Sequence, residues 1–84
     1  MNAMTLLSAS GQVSPSGSSC RLVGFYVAST TGGTIILKDG GSSGTAKSGT
    51  ITPAIGYHAF PGEFNSDCYA TIANTISVTF FWAK

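Results

Sequence analysis

The chain has 84 residues, a formal net charge of +1, and Asp, Glu, Lys or Arg at only 8% of positions, against about 25% in an average soluble domain. That length holds one domain and no second. Four cations scattered along the chain exclude an electrostatic surface for nucleic acid or anionic lipid, and no apolar run approaches the ~20 residues of a membrane span.

Residues 1–19 come first. "SASGQVSPSGSS" carries Ser, Gly or Pro at nearly every position and cannot bury enough apolar area to fold alone. It is predicted as an N-terminal arm, either mobile or ordered only by docking against a neighbouring subunit, with docking favoured and a short strand in "MTLLSAS". The N-terminus lacks the basic and long apolar regions of a secretory signal, so folding in a cytosol is expected.

Residues 20–84 read as a β domain. "CRLVGFYVAS" alternates with period two, Val23, Phe25 and Val27 on one face and Leu22, Gly24 and Tyr26 on the other, which marks a strand whose two largely apolar faces are each at least partly covered. "TTGG" suits a tight turn at Gly32 and Gly33, and "TIILKDG" is the predicted return strand of that hairpin. "DGGSSGTAKSG" is a flexible connector with a brief strand around Thr45 to Lys47. In "TITPAIGYHAFPGEF", Pro53 and Pro61 place the strand at a sheet edge or corner, while Tyr57 and Ala59 alternate with His58 and Phe60. "DCYATIAN" is a short strand, "NT" a turn, and "TISVTFFWAK" the finishing strand.

In that last strand Ile76, Val78, Phe80 and Trp82 share one face. Burying side chains of that size is worth about 1.5–3 kcal/mol each, which predicts a strand in mid-sheet with neighbours on both sides. Helical spacing is nowhere sustained. The predicted fold is all-β: a single small antiparallel β-sandwich or jelly-roll-like barrel with a Ser/Gly-rich N-terminal arm.

Reaction chemistry is not legible. His58 is the lone histidine and sits within a strand pattern, so a nucleophile–base–orienter set has no second candidate base. Cys20, Cys68 and His58 do not complete a tetrahedral zinc site. "KDGGSSGTAKSGT" lacks the GK[ST] ending and following helix of a phosphate loop. No enzyme, metal or cofactor is expected. The cysteines are expected as buried free thiols, with a Cys20–Cys68 bridge left open.

Ordering a chain this short costs on the order of 1.5 kcal/mol per residue, and small domains usually need a staple or a partner. The polar surface is made of 12 Ser and 10 Thr rather than charge, and is poorly defended against association. Five Phe, three Tyr and one Trp exceed what one small core readily hides, so some are expected to face a partner. The expectation is a homo-oligomer, a trimer being favoured, with Leu6, Leu7, Val13, Leu22, Tyr26, Tyr57, Phe60 and Phe81 at the interface. The alternative is a carbohydrate- or receptor-binding module using Tyr57, His58 and Tyr69.

From about Leu6 onward the chain resembles small β-sandwich virion structural proteins of tailed bacteriophages, encoded near capsid genes. The resemblance lies in the Ser/Gly-rich lead, Gly24–Val27, the hairpin-like Thr34–Gly40, the Pro-flanked Pro53–Pro61 and the aromatic Thr75–Trp82. It implies a non-enzymatic capsid decoration, cement or head-fibre subunit, folded in the host cytoplasm and carried in the virion. Its implied partners are copies of itself and the major capsid protein or a neighbouring virion protein.

Overall fold

The computed structural model describes residues 3–84. Met1 and Asn2, the first two residues of the expected arm, lie outside the described residues. Six strands follow in chain order: β1 (Ala3–Leu7), β2 (Gly11–Gln12), β3 (Cys20–Asp39), β4 (Thr45–Ala46), β5 (Gly56–Phe64) and β6 (Cys68–Ala83). Every pairing is antiparallel. The fold is all-β.

Two long strands organise it. β3 and β6 pair along their whole length, from Arg21 opposite Ala83 to Asp39 opposite Cys68. The first half of β3 and second half of β6 carry β1 and β5 on their flanks. The other halves carry β2 and β4, with a bridge from Ile35 to Ile51. The sheet folds over between the halves, so that Phe25, Val27, Val78 and Phe80 from one share a core with Ile35, Leu37, Cys68 and Ala70 from the other. Strands that switch layers through bends and bulges make such corners.

The corner corrects two sequence expectations. "TTGG" is not a hairpin turn, and "NT" does not end a strand; both lie inside the long strands. β3 has a bulge between Thr31 and Gly32, where Gly32 takes φ +65°. Across from it Asn74 takes φ +63°, a left-handed conformation that Asn tolerates. Gly33 packs so tightly on Ile76 and the Thr75 carbonyl that a Cβ there has no room. Glycines that suit a reversal also suit a sharp bend. Here β3 runs through the bend and pairs with β6 on both sides of it.

A second bulge redistributes the first face pattern. The register slips between Leu22 and Gly24, so Val23 is the extra residue. Leu22 therefore joins Phe25 and Val27 in the core instead of sharing a face with Tyr26.

The register slips once more between Val27 and Ser29, where Ala28 and Ser29 are both exposed, but the finishing strand keeps its alternation. Ile76, Val78 and Phe80 are buried and Trp82 packs against the same core, and over Val78–Trp82 the strand has β1 on one side and β3 on the other. Among the described residues β5, with its internal Pro61, pairs only with β3. β4 falls where the brief strand was expected. In the segment read as an arm, β1 and β2 pair with β6 of the same chain, and Val13 is 2% exposed in the shared core. The Val13 and Ser14 amides both donate to the Cys68 carbonyl, and the Cys68 amide donates to Ser14 Oγ at 2.8 Å.

Candidate functional site

Directly opposed residues of antiparallel strands share a face, so the register defines the outer surface of the first half. One row runs Met4, Phe81, Gly24, Ala59 across β1, β6, β3 and β5. The next runs Leu6, Thr79, Tyr26, Tyr57. Neither row contains a charge. Met4 is 68% exposed, Leu6 66%, Tyr57 53% and Tyr26 44%. This is a contiguous uncharged stripe across four strands.

Glycine shapes its centre. A Cβ on Gly24 would lie 2.5 Å from the Tyr57 hydroxyl and 2.6 Å from the His58 carbonyl, so the bare backbone lets the Tyr57 ring lie flat across β3. An aromatic ring covering a strand glycine restores packing the missing side chain leaves out. The same ring meets Phe81 at 5.9 Å between centroids. Tyr57 is thus held in place while half its surface faces water.

The structure sorts the expected interface residues. Leu6, Tyr26, Tyr57 and Phe81 share this face. Leu7 points inward against the core, and Phe60 sits at the mouth of a cleft. Val13 and Leu22 are corrections: both are sealed in the chain's own core, Leu22 because of the bulge at Val23 and Val13 because β1 and β2 dock on β6. Met4 belongs to the face and was missed, although the alternation of "AMTLL" places it beside Leu6 once Thr5 points inward.

Tyr57, His58 and Tyr69 do not converge. Neighbours in a strand point to opposite faces, so His58 turns inward onto Phe25, 5.3 Å between ring centroids, with Nε2 2.8 Å from the Ala54 carbonyl oxygen. Tyr69 lies in the other half of the sheet.

Three further features complete the inventory. A cleft of about 360 Å³ opens between β5 and the Lys47–Ser48 segment over Leu22, Leu37 and Phe64, where β5 bows away from β3 around Phe60 and Pro61. Cys20 and Cys68 are buried free thiols. Burial, first of all, pushes both above the ordinary 9.0, keeping them protonated and unreactive. Two carboxylates tie the loops together. Asp39 accepts the Ser66 and Asn65 amides at 2.8 and 2.9 Å, which holds its pKa below the ordinary 3.8. Asp67, 4% exposed, accepts Gly41 and Gly17 amides at 2.9 and 3.1 Å. Among the described residues no three His, Cys, Asp or Glu side chains group as metal ligands.

Comparison with known proteins returns no match: no family model, no characterised protein and no solved structure is similar to this chain.

Proposed function

We propose that this chain is a non-enzymatic virion structural protein of a bacteriophage, a capsid decoration, cement or head-fibre subunit that associates with copies of itself and binds a shell. The observation that carries the reading is the uncharged outer stripe with Met4, Leu6, Tyr26 and Tyr57 exposed in adjacent rows. Contiguous apolar surface of this kind marks an interaction site, and aromatic residues on a rigid frame are favoured anchors. The fixed Tyr57 ring loses little freedom on docking. A subunit of this kind folds in the host cytoplasm and ends in the virion.

The test is co-sedimentation of the purified chain with shells built from the major capsid protein of the same phage. Saturable, stoichiometric binding, lost on Tyr57→Glu with the far-ultraviolet circular dichroism unchanged, is the expected result. A chain that stays in the supernatant at every shell concentration overturns the shell-binding role.

A further inference from the structure

We propose that β1 is the strand through which a second copy of this chain joins, antiparallel and two-fold symmetric about Thr5, extending the sheet from one subunit into the next. This rests on the assembly reading above and names its contact.

The folded sheet has several edges, and they are not alike. Exposed edges invite strand pairing unless they are very short, bulged, or carry charge or proline. β2 and β4 are two residues each. β5 carries Pro61 and Glu63, and its register against β3 breaks between Gly62 and Ala59. β1 has none of these defences. Its five residues run in unbroken register along β6, with no Pro, Gly or charge in "AMTLL". Among the described residues no strand lies on its other side, where alternate backbone N–H and C=O groups point outward.

The strand is also held ready. Thr5 Oγ1 donates to the Val13 carbonyl at 2.6 Å and accepts the Trp82 indole N–H at 3.0 Å. Side chains at alternate positions therefore cannot roll over, and the outward pair stays Met4 and Leu6.

The occupant follows from symmetry. A two-fold contact presents each residue to the same patch on the other copy, so a charged edge would repel itself while an uncharged apolar one is compatible with its copy. Antiparallel pairing about Thr5 sets Met4 opposite the second copy's Leu6, twice. Those four side chains, the most exposed of the large apolar ones on the face, close into one cluster next to Phe81 and Thr79. This contact builds pairs; a three-copy assembly needs a different one.

The experiment is size-exclusion chromatography with light scattering over a concentration series, on the wild-type chain, Met4→Lys/Leu6→Lys and the control Ile55→Lys. Ile55 is exposed but lies off the strand. The wild type and control are expected at twice the chain mass, the double variant at half that with an unchanged far-ultraviolet circular dichroism spectrum. Hydrogen exchange at residues 4–6 of the wild type is expected to slow as concentration rises. An oligomer of any size that survives Met4→Lys/Leu6→Lys overturns the β1 contact and leaves the assembly reading standing. A wild-type chain that is monomeric throughout overturns self-association altogether.

Discussion

The side-chain amide of Asn74 donates to the carbonyl oxygen of Gly32 at 2.9 Å, tying the two long strands together where both turn from one layer to the other. Thr30 Oγ1 accepts the Gly33 amide at 3.1 Å beside it. The corner thus satisfies with side chains the backbone groups that the ladder gives up at the bulge.

A single methyl group at the corner should be costly. Gly33→Ala puts a Cβ onto Ile76 and within 2.8 Å of the Thr75 carbonyl oxygen, an overpacking worth about 1–3 kcal/mol. Gly49→Ala meets nothing within 4 Å and is expected to stay within about 0.5 kcal/mol of wild type. Urea unfolding reads both as midpoint shifts. A Gly33→Ala midpoint equal to that of Gly49→Ala would mean the corner is not packed as described.

Gly24 and Tyr57 should behave as a coupled pair. Gly24→Ala drives a methyl into the Tyr57 hydroxyl and the His58 carbonyl, at a cost of about 1–3 kcal/mol. In a Tyr57→Ala background only the carbonyl clash remains, so the same change should cost less there. A double-mutant cycle measures the difference. Strict additivity would show that the ring does not lie over the glycine.

The buried thiols predict an alkaline weakness. Burial raises both cysteines above their unfolded 9.0, so the unfolded chain releases their protons first. Their contribution is complete below pH 9.0 and is lost as pH rises beyond it. Stability of the wild type should fall along that limb, and Cys20→Ala/Cys68→Ala should flatten it. Thiol reagents should label the native chain only as fast as it opens, and at once in urea.

Asp39 predicts the acid limb. Amide hydrogen bonds from Ser66 and Asn65 depress its folded-state pKa below 3.8, so this stabilisation is present above that pH and drains away as pH falls through the folded value. Asp39→Asn should be less stable than wild type at neutral pH, with a shallower loss below pH 3.8. Identical acid slopes for the two proteins would remove Asp39 from the account.

Removing the Asp67 carboxylate should be harsher. Asp67→Ala strands the Gly17 and Gly41 amides that it accepts. The half-buried Gly41 amide loses a bond to a charged acceptor worth about 1.5–3 kcal/mol, the exposed Gly17 amide loses less because water can replace its partner, and the urea midpoint should drop accordingly.

Much of the fold was legible. Period-two alternation in "TISVTFFWAK" named the buried set Ile76, Val78 and Phe80 because in a strand facing is decided by counting. Proline at 61 marked an edge because it lacks an N–H for a second neighbour. Part of the exposed face was legible too, in Leu6, Tyr26, Tyr57 and Phe81. Leu22 and Val13 were misplaced for two separate reasons. The count at Leu22 fails across a bulge, which a pattern of hydrophobics does not announce. Val13 looked too isolated among Ser and Gly to be core, yet two strands of its own segment carry it there.

Strand identity, the all-β class and the shortage of charge are properties of residues and their immediate neighbours, and the chain alone decided them. Which strand pairs with which was decided only in three dimensions. Gly32–Gly33 and Asn74 permit a reversal or a bend equally well, since a positive φ is a local allowance and not an instruction. The outcome turned on long-range burial: pairing β3 with β6 end to end covers both halves of each strand over one core, and that gain depends on residues some 30 to 60 positions apart.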